Sequence, residues 1–231
     1  MILFMKIIKG KQMIYQINDL PEEYKDYPSP SRVHNATMSE SKRLGLQLWR
    51  ERVGEDVADK IMVESQDRGT NIHEKIENYS KSGIITNELF NTEIFSYLSK
   101  IEEFYAVESW VYHLLQRYKG KFDSFFKINN EMVMCDWKTK KDDVYKKKDW
   151  VSDNFEQVSC YVKAINNLHN LDVKKAVIIF MNSEGNQLQF FEMNENLINY
   201  HYRNFILRLN TYRDIVAKEI LDQSVIDLKT I

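Results

Sequence analysis

The sequence predicts an α/β fold: a mixed central β-sheet flanked by helices, with a helical N-terminal region. Three observations carry this. From residue 38 to about residue 101, apolar residues recur three and four apart, the period of an amphipathic helix. From residue 104 the pattern changes to aromatic and β-branched stretches closed by turn residues, which favour strands. After residue 153 helix, hairpin and helix follow one another, an order that suits a mixed sheet covered by helices. The 231 residues suffice for one large domain, read as 1–231, with a helical part at about 37–101 and a core at about 102–231. Only 7 Gly and 3 Pro are present, which argues against a linker-rich or disordered chain.

The elements follow in order. Residues 12–18 (QMIYQIN) read as a short strand. Residues 19–36 hold all three prolines and read as an irregular segment. Thr37 or Ser39 is suited to cap the first helix, and Gly83 to separate two later ones. Residues 104–118, 121–128 and 131–138 are strand candidates. The last two are joined by Asn129-Asn130, side chains that tolerate positive φ in a tight hairpin turn. Residues 153–169 return to helix, 173–181 and 187–193 form a second hairpin across 183–186, and 195–221 form a long closing helix.

Bulk composition excludes several classes. Cys135 and Cys160 are the only cysteines, so neither a disulfide framework nor a four-cysteine zinc or iron–sulfur site fits within one chain; two reduced thiols are expected. No apolar run approaches the ~18 residues needed to span a membrane. The apolar start from Met1 to Met5 lacks a cationic beginning and a small-residue cleavage site, so no secretory signal is expected. The expected location is the cytoplasm, and the Lys-, Asn- and Ile-rich composition suits a bacterium or a phage-infected host. The net charge of -2 is not that of a strongly basic nucleic-acid binder. Distribution matters more than the sum, and Lys138, Lys140, Lys141, Lys146, Lys147 and Lys148 lie close together.

The chemistry begins at the first hairpin. With Asn129 and Asn130 as the two loop residues, Ile128 faces Glu131, and the sixth pair outward is Asp123 with Asp136. Directly opposed Cβ atoms lie roughly 4.5–5.5 Å apart. Lys138 is two residues beyond Asp136 and projects from the same face. Opposed carboxylates repel, and a hard divalent cation such as Mg²⁺ or Mn²⁺ offsets that repulsion. Two aspartates, a cation and a lysine are parts that phosphodiester hydrolysis needs. The plainer alternative is a solvated sheet face with one ordinary ion pair.

Three ordered motifs sharpen this reading: Gly120-Lys-Phe-Asp123, then Asp136-Trp-Lys138-Thr139-Lys140, then Gln157-x-x-x-Tyr161. Upstream stands Gly69-Thr-Asn-Ile-His73-Glu74. Together they resemble the PD-(D/E)XK nuclease superfamily in its RecB-like exonuclease branch. Ser29-Pro30-Ser31-Arg32-Val33, followed by a helix, is also similar to the mitochondrial genome maintenance exonuclease and its phage relatives. The resemblance implies a PD-(D/E)XK core in which His73, Asp123 and Asp136 bind Mg²⁺ or Mn²⁺, helped by the backbone carbonyl of Trp137. It implies Lys138 as the catalytic lysine, and Gln157 and Tyr161 as substrate contacts. Those two are four residues apart, so one helix face presents both.

Other residues carry open alternatives. Glu108 is a further candidate metal or water ligand, or a strand-end charge. Glu77 is suited to orient His73 from one helical turn away, or to be a surface carboxylate. Gly69 could let its helix pack closely on the sheet. Lys140, Lys141 and 146–148, with Arg32 and Arg68, are candidate phosphate contacts; a solvated basic loop is the alternative. His34, His113, His169 and His201 show no metal spacing and are read as structural. Some relatives carry a four-cysteine iron–sulfur cluster, which two cysteines cannot hold, and no phosphate-binding Gly-x-x-x-x-Gly-Lys run appears. The expected function is a metal-dependent DNA exonuclease acting on single-stranded or free-ended DNA. The alternatives are a structure-specific or restriction-type endonuclease of the same superfamily, and a DNA-binding module that keeps the fold without activity. No membrane and no iron–sulfur partner is expected, and oligomeric state is left open.

Overall fold

The computed structural model describes residues 13–83, 92–141, 145–182 and 184–229, with side chains up to residue 222. Gln12 of the expected first strand, residues 84–91 of the expected helical stretch and Ser183 of the second hairpin lie outside the described residues. The fold is α/β, with a five-stranded mixed sheet flanked by helices and a helical N-terminal region. Its strands, β1 (Glu103–His113), β2 (Tyr118–Ile128), β3 (Glu131–Thr139), β4 (Lys175–Met181) and β5 (Leu188–Met193), lie side by side in chain order. Neighbours are antiparallel except β3 and β4. A parallel neighbour needs a crossover, and helix α5 (Ser152–His169) supplies it. The other helices are α1 (Pro30–Ala36), α2 (Glu40–Val53), α3 (Glu55–Ser82), α4 (Glu93–Leu98) and α6 (Glu195–Lys229).

Two apolar clusters sandwich the sheet. One joins Phe122, Phe125, Met134 and Ile178 to Val158, Tyr161 and Val162 of α5 and Phe205 and Leu209 of α6. The other joins Phe104, Phe126, Val133, Trp137 and Ile179 to Ile72 and Ile76 of α3 and Ile94 and Leu98 of α4. Alternation along the strands feeds the two faces in turn, with a break in β2 between Phe122 and Phe125, which fall in one cluster. Phe125 and Phe126, adjacent in β2, bury in opposite clusters. Cys135 and Cys160 are free, buried and in different clusters.

The first hairpin has the expected register, from Ile128 opposite Glu131 to Ser124 opposite Cys135. Asn129 and Asn130 take φ of 50° and 63°, the left-handed pair that a type I′ turn requires. Ser39 caps α2 by accepting from Lys42 N at 3.3 Å, and Gly83 ends α3 at φ 67°. The proline-rich segment is corrected: it is not irregular throughout. Pro30 opens α1 at a position where its missing N–H costs nothing, and Ser29 caps the same turn. The short strand expected at 12–18 does not form among its described residues. They run along the outer edge of β1, where the Gln16 amide both donates to Val107 O (2.8 Å) and accepts from Val107 N (2.9 Å). A side chain there takes ladder positions that a strand backbone would fill.

Helix α2 buries none of its side chains, and α3 buries only Ala58 before its fifth turn. Leu44, Leu48, Val57, Met62 and Val63 are exposed on this helical pair. Arg50 ties the two helices through Glu55 and, at 2.7 Å, Asp59. On the opposite side Arg208 of α6 knits α1 to α5. It donates to His34 O (3.0 Å), Thr37 Oγ1 (2.9 Å) and Asp153 Oδ1 (2.7 Å).

His113 is buried between Tyr118 and Tyr202, and its Nδ1 accepts from Gln116 N at 3.3 Å. Burial pushes its pKa below the ordinary value. A depressed folded-state value means a stability contribution that is present above about pH 6.5 and lost as pH falls through the folded value. The stability advantage of the wild type over His113→Asn is therefore expected to shrink as pH falls from about 7.5 to about 5.5. Parallel pH dependence of the two proteins in urea denaturation would contradict this.

Candidate active site

The β2–β3 ladder ends one pair short of Asp123 and Asp136. At that point the Asp123 carboxylate reaches across and accepts from Trp137 N at 2.6 Å, so a side chain continues the pairing where the backbone stops. On the other flank of β2, Val107 pairs with Ser124 and Ser109 with Phe122, which puts Glu108 opposite Asp123. Glu108 itself has φ 48°, a left-handed conformation that is uncommon for a glutamate and interrupts the alternation of β1. One row of the sheet thus carries three carboxylates on three adjacent strands: Glu108, Asp123 and Asp136.

Helix α3 crosses above this row. Ser65, Gly69, His73 and Glu77 recur four apart along it and line a groove of ≈ 610 Å³, faced by Glu108, Lys121, Lys138, Thr139 and Lys146. His73 Nδ1 lies 2.9 Å from Glu108 Oε1 and 3.7 Å from Asp123 Oδ1, and its Nε2 lies 3.0 Å from the carbonyl oxygen of Trp137. Lys138 Nζ donates to Asp136 Oδ1 at 3.0 Å and sits 2.9 Å from Oδ2. That second oxygen is buried, and its one charged neighbour is the same ammonium.

Burial is the largest influence on Asp123, His73 and Lys138. It drives the Asp123 carboxyl up, the neighbouring Asp136 charge adds to this, and Asp123 reaches about 7 against the partial relief of His73 and Lys138. Burial pulls His73 down, but its bond to Glu108 and the charges of Asp123 and Glu108 outweigh this and hold it at about 9. Lys138 is held up against burial by Asp136 and Asp123. A charged imidazole and an ammonium are thus drawn towards the row of carboxylates.

The donor set suits a hard divalent cation. His73, Glu108 and Asp123 offer ligand atoms within 4.8 Å of one another. The buried Asp136 Oδ2, whose charged neighbour is Lys138, and the Trp137 carbonyl add oxygens. His73 Nε2 and the Trp137 carbonyl oxygen face each other at 3.0 Å, the length of an ordinary hydrogen bond. Among the described residues, His34, Asp153 and Glu156 form a second such group, one the histidine spacing gave no hint of. There Arg208 Nη1 already lies 2.7 Å from Asp153 and 3.3 Å from Glu156, so a guanidinium neutralises the pair.

The remaining sequence-predicted residues separate into two groups. Tyr161 is buried with its ring against Gly120, and its hydroxyl accepts from Gln157 Nε2 at 2.9 Å. Both residues belong to α5, and the charges of Asp136 and Asp123 help push the Tyr161 hydroxyl's pKa up, after burial. Lys140 and Arg32 are not brought to the groove. Lys140 is buried with Nζ 3.1 Å from Gln187 Oε1, and the Arg32 guanidinium lies over the Tyr212 ring at 5.9 Å. Glu77 pairs with Lys81 at 2.5 Å and not with His73. Gly69 does not serve close packing: a Cβ there would meet nothing within 4 Å, because the residue faces the open groove. Lys121 was missed by the sequence reading; its Nζ lies 3.0 Å from Glu108 Oε2, and its place two residues before Asp123 was the available signal.

No family model matches the chain. The chain is similar to mitochondrial genome maintenance exonuclease 1 of Xenopus tropicalis, 23% identical over 202 residues that cover 80% of this chain and 57% of that protein. It is similar to the protein of the same name from Mus musculus, 23% identical over 211 residues, 84% of this chain and 61% of that protein. The chain therefore spans about three-fifths of the length of these curated relatives. Among solved structures it is similar to the crystal structure of SSO0001, at a TM-score of 0.36 and 15% identity over 69% of this chain and 68% of that one.

Proposed function

We propose that this chain is a divalent-metal-dependent deoxyribonuclease of the PD-(D/E)XK type, acting as an exonuclease on single-stranded or free-ended DNA. The observation that carries the proposal is the row Glu108–Asp123–Asp136 beneath His73, with Lys138 at its edge bound to the buried Asp136 carboxylate. The two curated relatives, distant as they are, carry exonuclease names.

His73, Asp123, Asp136 and the Trp137 carbonyl would hold Mg²⁺ or Mn²⁺, which supplies Lewis-acid polarisation of the phosphoryl oxygen and charge neutralisation at the reacting phosphate. Asp123 fixes the strand that carries the rest: its bond to Trp137 N sets the height of Trp137 O and of Lys138 one residue on. Lys138 presents its ammonium in the groove, tethered by Asp136. There it orients the attacking water and offsets the negative charge that grows on the phosphoryl oxygens. Lys146, at the groove margin, provides a cation for the phosphate backbone on either side of the scissile bond. Phosphate contacts of this kind carry no sequence information, which fits an enzyme that degrades DNA from an end.

The test is digestion of end-labelled linear single-stranded, linear double-stranded and circular single-stranded DNA, with Mg²⁺ or with a chelator. Linear single strands are expected to yield short products in Mg²⁺ and none with chelator, while circles survive. Rapid cutting of circles would make the enzyme an endonuclease, and binding without metal-dependent product release would make it a binding module.

A further inference from the structure

Resting on that reading, we infer that Glu108 is a positioning residue for His73, and that Lys121 holds Glu108 in this role and out of the metal's coordination sphere. Three observations converge. First, both oxygens of the Glu108 carboxylate are engaged by cationic partners: Oε1 with His73 Nδ1 at 2.9 Å and Oε2 with Lys121 Nζ at 3.0 Å. Second, His73 turns its two nitrogens to different tasks. Nδ1 faces Glu108, and Nε2 lies 3.0 Å from Trp137 O, beside the carbonyl that belongs to the donor set. A carboxylate accepting from Nδ1–H fixes the ring plane and keeps that proton on Nδ1, so that Nε2, here donating to Trp137 O, is the nitrogen that would give up its proton to an ion. Third, the backbone at Glu108 is held at φ 48° in the middle of a strand. Such a conformation persists only where surrounding contacts over-determine it. Here it aims the glutamate at the helix above the sheet instead of along the regular alternation of β1.

The Lys121 contact separates positioning from ligation. With its two oxygens engaged by two different cationic side chains, Glu108 is held towards His73 and Lys121, and an ion would have to compete with both for it. Lys121 stands two residues before Asp123 on the neighbouring strand, so the motif that supplies a metal ligand also supplies the counter-ion of the orienting carboxylate. Glu77, one turn from His73 on α3, cannot substitute, because it is paired with Lys81.

The test compares Mn²⁺ binding by calorimetry and electron paramagnetic resonance in the full-length wild type, Glu108→Ala and Glu108→Gln. It adds the ¹⁵N spectrum of His73 in the Mg²⁺ form, assigned with His73→Gln. Glu108→Ala is expected to weaken Mn²⁺ about 10–100-fold, the usual effect of losing an orienting partner. Glu108→Gln retains most of the affinity, since its carboxamide oxygen still accepts from Nδ1–H, whereas a direct ligand turned into a neutral amide would lose the charge that holds the ion and weaken binding much as alanine does. The wild-type spectrum shows a protonated Nδ1, and Glu108→Ala loses this preference. Wild-type affinity in Glu108→Ala, or equal losses in both variants with Nδ1 unchanged, overturns the inference and leaves the nuclease reading intact. A wild type that binds no Mn²⁺ overturns both.

Discussion

Lys138→Ala is expected to fold, to bind Mn²⁺ and to hydrolyse DNA on the order of 10²–10³-fold more slowly than the wild type, the typical loss when one preorganised donor to a developing oxyanion is removed. The ammonium is the cation on this strand that faces the groove, and it is pre-positioned: the buried Asp136 carboxylate holds it at 3.0 and 2.9 Å. Truncation removes that charge and frees Asp136. The carboxylate row then lacks one of its counter-charges, so added Mn²⁺ is expected to raise the thermal midpoint of the variant more than that of the wild type. Lys138→Arg should recover only part of the rate, since a planar fork cannot occupy the place of a compact ammonium. Single-turnover hydrolysis of an end-labelled single strand separates the chemical step from binding, and a wild-type rate in Lys138→Ala would remove the lysine from the mechanism.

Gly120→Ala is the second large effect. A Cβ at this position would overlap Cε1 of Tyr161 and lie 3.2 Å from Cδ1 and 3.3 Å from Cζ. The obstacle is the body of an aromatic ring, which is buried, rests near Phe122 and is tied at its hydroxyl to Gln157. A ring so held cannot swing aside as a flexible side chain would. Overpacking of this kind costs about 1–3 kcal/mol. Moving the ring also disturbs the surroundings of Asp123 and Asp136, so activity should fall together with stability. Adding Tyr161→Ala removes the clash, and the two substitutions are expected to be non-additive by about 0.5–3 kcal/mol, as is usual for residues in contact. Urea denaturation of the four proteins gives the coupling directly. Unchanged stability in Gly120→Ala would show that the ring has room to move.

Much of the fold was legible because it rests on short-range rules. The turn at Asn129-Asn130 and the apolar alternation around it determined the β2–β3 register, down to the pair next to Asp123 and Asp136. The capping of α2 by Ser39 and the ending of α3 at Gly83 were legible for the same reason. The approach of His73 to Trp137 was not a matter of spacing. It depends on how a helix 64 residues earlier lies over the sheet, and only the resemblance brought the two together. Less was legible where tertiary contacts override local signals. Pro30 marked the start of a helix within a segment that read as irregular. Lys140 sits in the lysine cluster by sequence, yet the pairing of β3 with β4 turns its ammonium to Gln187. The left-handed backbone at Glu108 has no local cause, since neither Glu nor its neighbours favour it.

The helical pair α2–α3 has a thermodynamic consequence of its own. Cooperative stability comes from shared apolar burial, and α2 shares none. Its amides are guarded by helical hydrogen bonds and a few ion pairs, so opening it exposes almost no core. The second half of α3 is different, because Ile72, Ile76 and Tyr79 bury against the sheet. One continuous helix therefore spans two regimes of protection, opening locally at one end and only with the whole sheet at the other. The step between them falls near Gly69, one turn before His73, so the histidine belongs to the protected part and Ser65, which lines the same groove, to the part with little burial.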